Sequence, residues 1–168
     1  LFASSHQAPF QCPEAGCDGH FLTVTHCFVY MKAMFQSGNH LPPNGNHQHF
    51  TGVAANIMLT TSTAEVGNMS AALARHDDFD AGSWGAARQE KMLMALRAKF
   101  DTYPECADLL RATAGKSLAQ ASQVDRDHGI GLGEVDANLG MQWRGENFFG
   151  NCLELLRLEL LADTTQKI

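Results

Sequence analysis

Long apolar runs, positive charge and ordered cysteine spacing are all scarce in this chain. No apolar run approaches the roughly 20 residues that a membrane-spanning helix needs, so no membrane association is expected. Lys and Arg number 12 against 18 Asp and Glu, a formal net charge of −6. That balance argues against bulk nucleic-acid binding, which needs a basic surface to displace counterions. A pocket with a few local cations stays open, because pockets are built from single residues. The five cysteines Cys12, Cys17, Cys27, Cys106 and Cys152 are odd in number and scattered, the pattern of reduced thiols and not of a disulfide framework. Cys12 and Cys17, with His20 and His26 nearby, are too loosely spaced for a zinc site and lack a second cysteine pair, so no metal is expected. The opening LFASSHQAPF has neither an initiator Met nor a basic-then-apolar leader, so no signal peptide is read there. The expected location is the cytoplasm.

What is present is an ordinary globular composition, 45% hydrophobic and 18% charged over 168 residues. It suits one domain over 1–168 with a real core. Residues 1–20 read as an irregular lead-in with a short strand at Ala8–Gln11. A helix follows over 26–38, with Thr25 as N-cap and Ser37-Gly38 as stop. Two prolines and an Asn-Gly pair make 39–50 a loop. Helical patterning resumes over Val53–Leu59 and again over Ser70–Asp77. The strongest periodic segment runs from Trp84 to Phe100, capped by Ser83, with Met92, Leu93, Leu96 and Phe100 on its apolar face and Met92 and Met94 read as core. Glu105–Thr113 follows with Pro104 at its first position, and Leu118–Ser122 is open between strand and helix. Gly129, Gly131 and Gly133 exclude a helix over Asp125–Asp136. The last helix, Glu146–Asp163, places Phe149, Leu153, Leu156 and Leu160 on one stripe. The fold class is therefore α+β, predominantly helical, with a few short strands.

Three segments form a set: FDAGSWGAARQEKMLMALRAKF (79–100), LLRATAGKSLAQASQVDRDHGIGLG (109–133) and WRGENFFGNCLELLRLEL (143–160). In that order they resemble the NADAR/YbiA-like family, whose members read W…R…M…AL-x-AKF, then L-x-E-A-S-x-x-D-x-x-W-G-x-G, then W-x-G-x-N-x-L-G-x-x-L-M-x-x-R. FASSHQAPF (2–10) is similar to that family's F-x-S-N-x-x-P-x-P-F, and TVTHCFVYMKAMF (23–35) to its S-E-H-Y-x-x-A-x-K helix. The resemblance implies a compact YbiA-like domain that cleaves the N-glycosidic bond of a riboflavin-pathway intermediate or an ADP-ribosylated base. It implies a small nucleotide-like ligand with a ribose phosphate or ADP-ribose moiety, and no cofactor. Positions that match are His26, Lys32, Trp84, Arg88, Lys99, Asp125, Gly129, Gly131, Asn147, Gly150 and Arg157. Four depart: Thr25 and Gln120 stand where the family has Glu, His128 where it has Trp, and Ser5 where it has Asn.

Breaking a ribosyl C–N bond builds up oxocarbenium character, which a nearby carboxylate stabilises, and a base must activate water. Asp125 is the candidate carboxylate; alternatively it braces its own turn through an Asx hydrogen bond. His128 is a candidate acid, base or stacking ring, or else simply fills the slot of the Trp. Thr25 occupies a catalytic position without a carboxylate, and a neutral hydroxyl does not replace one. Ser5, His26, Lys32, Gly129 and Asn147 are carried over as binding positions. Trp84 offers a face to a base and Arg88, one turn on, a cation to a phosphate; the competing readings are a core tryptophan and a solvated arginine. For His26 the competing reading is a satisfied core histidine, and for Lys99 a surface lysine at a helix end. His40, His47 and His49 lack fixed-spacing partners and read as solvated loop residues. Two functions stand: an N-glycosidase, or a nucleotide-binding module that kept the fold and lost the catalytic Glu.

Overall fold

The computed structural model describes residues 2–38 and 47–165. They hold seven α-helices and one two-stranded antiparallel sheet, the predominantly helical α+β class expected. The chain divides into two compact units, Phe2–Thr102 and Tyr103–Ile168.

In the first unit, strand β1 (Phe10–Gln11) pairs with β2 (His20–Phe21), Phe10 opposite Phe21. Both rings are buried, and Phe21 also meets Tyr30 edge-on. This aromatic pair anchors strands too short to persist on ladder bonds alone. β2 is missing from the sequence reading because two residues show no alternation.

Helix α1 (Val24–Ser37) is capped by Thr23 and not by Thr25. Thr23 is extended, and its Oγ1 accepts the His26 N–H at 3.2 Å, while Thr25 lies inside the first turn. Val24 and every residue from His26 to Ala33 are buried, because α2, α3 and α4 all pack against this helix.

Helix α2 (His47–Leu59) begins six residues before the expected Val53. Of the loop read over 39–50, residues 39–46 with His40 lie outside the described residues, and 47–50 open the helix. Past the Asn-Gly pair nothing in HQHF opposes a helix, and buried Phe50 stabilises the added turn. Helix α3 (Thr63–Ala74) starts inside a Thr/Ser-rich stretch and stops before Asp77. Ser62 Oγ accepts the Glu65 N–H at 3.2 Å, an S-x-x-E start signal that outweighs the local composition. Helix α4 (Ala81–Thr102) is capped by Asp80 and not by Ser83. Asp80 Oδ1 accepts the Ser83 N–H at 2.9 Å and Oδ2 its hydroxyl at 2.6 Å. Met92, Leu93, Leu96 and Phe100 are buried as read, but Met94 is only half-buried.

In the second unit, α5 (Pro104–Arg111) has its proline in the first turn as expected and packs on α7 (Phe148–Thr165). Leu118–Ser122 is neither strand nor helix; side chains of α7 hold the adjoining chain instead. Arg157 Nη1 donates to the Thr113 and Lys116 carbonyls, both at 2.8 Å, and Glu154 Oε1 accepts the Leu118 N–H at 2.7 Å. Backbone needs met by side chains do not call for a sheet partner. The non-helical stretch ends at Gly133, where α6 (Glu134–Asn138) begins, three residues inside the range read as helix-free. No helix among the described residues is long and apolar enough to cross a membrane.

Candidate active-site loop

Helix α7 starts two residues later than read, because Asn147 takes a left-handed conformation with φ 53°. Its first N–H groups are not left open. Those of Glu146, Asn147, Phe148 and Phe149 donate to the carbonyls of Arg126, Gly129, Asp127 and His128, at 2.7–3.1 Å. The loop 126–129 thus sits on the helix end and satisfies donors that would otherwise be orphaned. Gly129 is required by this packing: a Cβ there would lie 2.8 Å from the carbonyls of Asp125 and Gln120. Gly131 is required twice, by its φ of 68° and by Arg144, whose backbone carbon would lie 3.0 Å from a Cβ. The close backbone approach that these glycines permit is made to the protein's own chain. Asn147, 2% exposed, clips the loop's other end: Oδ1 accepts the Gln120 N–H at 3.0 Å and Nδ2 donates to the Leu118 carbonyl at 2.7 Å. Both ends of the amide expected to bind ligand are bonded to the main chain.

Asp125 and His128 are brought together. Asp125 Oδ1 accepts the N–H groups of Asp127 and His128 at 3.2 and 2.9 Å, the Asx brace anticipated as one alternative. Oδ2 lies 3.2 Å from His128 Nδ1, so the carboxylate both braces the turn and orients the imidazole. That hydrogen bond from the His128 ring, with the two backbone donors, holds the Asp125 carboxyl below the ordinary carboxylate range despite partial burial. With Nδ1–H donated to Asp125, the basic nitrogen of His128 is Nε2. The ring stands edge-on to Phe148 with centroids 5.6 Å apart, and its side chain keeps 27% of its surface exposed. A titratable ring, oriented by an ionised carboxylate and reachable from solvent, is a general-base arrangement.

The first unit holds the other expected positions. Exposed Ser5 follows Ser4, whose carbonyl accepts the Thr25 N–H at 3.1 Å, so the N-terminal segment is tied to the start of α1. Thr25 is half-buried there. Lys32 is buried, donates to the Ser70 carbonyl and hydroxyl at 2.9 and 3.1 Å, and lies over the Phe79 ring. Trp84, 7% exposed, packs against Phe28 and Phe35 with centroids 5.3 and 5.7 Å away. It presents core packing in place of the open stacking face expected of it. Arg88 is half-buried on α4. Lys99 is no surface lysine: it is 2% exposed and donates to the His6 carbonyl at 3.3 Å.

His26 is the satisfied core histidine. Its Nε2 donates to the Thr60 carbonyl at 3.2 Å, which leaves Nδ1 to accept from the Thr23 hydroxyl at 2.8 Å. Desolvation pulls its pKa below the usual value. A base whose folded pKa is depressed contributes stability that is full above about pH 6.5 and is lost as pH falls through the folded value. His26→Ala is expected to lower stability by about 1–3 kcal/mol near neutrality. It should also flatten the fall in melting temperature between neutral and mildly acidic pH. An unchanged melting curve would refute this role.

No group of three or more His, Cys, Asp or Glu side chains able to hold a metal occurs among the described residues. Cys12 and Cys27 are buried thiols, and His49 stacks on His76 with centroids 4.3 Å apart. The sequence reading singles out neither Glu154 nor Trp143. The signal for Glu154 was its place one turn before Arg157 on the α7 face. For Trp143 it was the run WRGEN, in which a large aromatic precedes polar residues outside any apolar period.

The model of the NADAR domain matches residues 1–161. Protein irg-1 of Caenorhabditis elegans is 34% identical over 79 residues, covering 46% of this chain and 37% of that protein. Riboflavin biosynthesis protein PYRR, chloroplastic, of Zea mays is 33% identical over 79 residues, covering 47% of this chain and 11% of that protein. The chain therefore spans well under half the length of these curated relatives. The solved structure of the E. coli protein YbiA aligns with a TM-score of 0.64 at 21% identity, over 98% of this chain and 79% of that one. The fold is YbiA-like.

Proposed function

The chain belongs to the NADAR domain family, and on that premise we propose that it is an N-glycosidase. It hydrolyses the ribosyl–base bond of a phosphorylated nucleotide-like metabolite or of an ADP-ribosyl adduct. The observation that carries this reading is the Asp125–His128 pair, with Oδ2 and Nδ1 3.2 Å apart on a loop clamped to a helix end. His128 Nε2 takes a proton from water as its oxygen bonds to the anomeric carbon. The C–N bond breaks, and its electron pair leaves with the base, which takes up the proton that His128 received. The Asp125 carboxylate stabilises the imidazolium that forms on His128. A riboflavin-pathway intermediate is one substrate class that fits, as the name of the Zea mays relative suggests. Incubation with a ribosylaminopyrimidine phosphate and with ADP-ribosyl-guanine tests the reading: release of base supports it, and none from either defeats it.

A binding module without turnover is the second reading, and Thr25 favours it. The family carboxylate position holds a hydroxyl, half-buried in the first turn of α1. Thr25→Glu is expected to raise base release by about tenfold or more if that carboxylate is what the chain lacks. No gain would assign the base role wholly to His128. A rise in melting temperature with millimolar ADP-ribose, without base release, would establish the second reading.

A further inference from the structure

Segment 141–144 carries side chains that the Asp125–His128 chemistry does not use. Trp143 is 43% exposed and Met141 40%, and Gln142 and Arg144 are exposed beside them. Together these four residues line a hollow of about 440 Å3, within the range of small-ligand sites. Backbone contacts hold the segment against the loop that carries His128. The Arg144 N–H donates to the Ile130 carbonyl at 2.8 Å, and a Cβ on Gly131 would come 3.1 Å from Arg144 Cβ. Gly145 packs so closely on the carbonyls of Gly129 and Arg126 that no side chain fits there. Those anchoring backbone groups, at Arg126 and at 129–131, flank His128, so hollow and dyad are carried by one frame within the second unit.

We propose that Trp143 and Arg144 grip the ligand: the base of a nucleoside phosphate stacks on Trp143 and its phosphate pairs with Arg144. The pair takes the part that buried Trp84 is not placed to play. An indole face binds any base through stacking, and a guanidinium pairs bidentately with phosphate. Gln142 supplies an amide for a base edge. On a chain of net charge −6, a cation beside an aromatic attracts an anionic ligand locally. The proposal rests on the nucleotide-like ligand proposed above, and it concerns grip and not bond breaking.

The test uses the full chain with AMP, adenosine and ribose 5-phosphate as probes, followed by tryptophan emission and calorimetry. Of the two tryptophans, Trp84 is 7% and Trp143 43% exposed, so AMP is expected to quench the solvent-exposed, red-shifted emission saturably. Trp143→Ala should weaken AMP binding roughly tenfold to a hundredfold. Arg144→Gln should weaken AMP and ribose 5-phosphate by about tenfold and leave adenosine unchanged. Both residues are exposed, so an unchanged melting temperature should confirm folding. AMP affinity within about twofold of wild type in Trp143→Ala overturns the proposal, as does absence of any AMP quench. So does a self-association that Trp143→Ala abolishes while AMP binding persists, since that face would then be a docking surface. Binding is measured at equilibrium and needs no turnover. AMP grip that depends on Trp143 without base release from any substrate removes the hydrolase reading alone. Base release with an unchanged KM in Trp143→Ala removes the grip alone.

Discussion

Asp125→Asn is expected to lower base release by about 10²- to 10⁴-fold while leaving the fold in place. The two functions of this carboxylate are carried by different oxygens, which is what makes the substitution informative. Oδ1 accepts two backbone N–H groups, and an asparagine carbonyl oxygen accepts them equally well, being itself a preferred Asx-turn residue. Oδ2 accepts from His128 Nδ1, and an amide in its place offers an N–H to that nitrogen. The imidazole is then pushed to the other tautomer, with its proton on Nε2 and nothing to take one from water. The charge that would stabilise the imidazolium is lost as well. Asp125→Ala, by contrast, loses the brace with the charge and should lower the melting temperature too. The pH dependence follows from the direction of the shift. The folded carboxyl titrates below its ordinary value, so its contribution to stability is present above about pH 3.9 and lost as pH falls through the folded value. Asp125 should therefore stay ionised across the neutral and mildly acidic range in which activity is measured. Full activity in Asp125→Asn would remove it from the mechanism and leave it a turn-bracing residue.

How much of this was legible in the sequence follows the reach of the forces involved. Apolar period marks α4 and α7, so their buried faces at Met92, Leu96, Phe149 and Leu153 come out as read. Caps are read less well, because several oxygens compete for one helix end: Asp80 takes the cap read for Ser83, and Thr23 that of Thr25. Strand β2 and the clamp on 113–120 depend on contacts far along the chain, which no local pattern announces. The Asp125–His128 pair was half visible. An Asp three residues before a His is a turn-compatible spacing, but which of brace and dyad it serves is not a sequence property, and here it serves both. Burial was the least legible quantity at the candidate site. Trp84 and Trp143 look alike as letters, yet one is enclosed by Phe28 and Phe35 and the other stands against solvent.

Asn147 should show the largest stability effect of any single side chain at the site. Its amide makes two buried bonds to main chain, and its φ of 53° lies where only glycine and asparagine sit readily. Asn147→Ala would leave the Gln120 N–H and Leu118 carbonyl without partners, at roughly 1–3 kcal/mol each. It would add about 1–2 kcal/mol of left-handed strain. A loss of roughly 3–8 kcal/mol by chemical denaturation is expected, a large share of a typical domain's stability. Asn147→Gly removes the amide but not the freedom to adopt positive φ, so it should recover about 1 kcal/mol of that loss. Asn147→Asp adds a test with a sign. An ionised carboxylate accepts from Gln120 but faces the Leu118 carbonyl oxygen with no proton, while the neutral acid can donate to it. The folded pKa of that new group is therefore raised above the unfolded one. The variant should approach wild type below about pH 4 and lose stability as pH rises through the folded value. Because the same residue's N–H donates to the carbonyl of Gly129, one residue after His128, turnover in Asn147→Asp should fall together with stability at neutral pH. Activity that survives in Asn147→Ala at wild-type level would mean that the dyad holds its geometry without the clip.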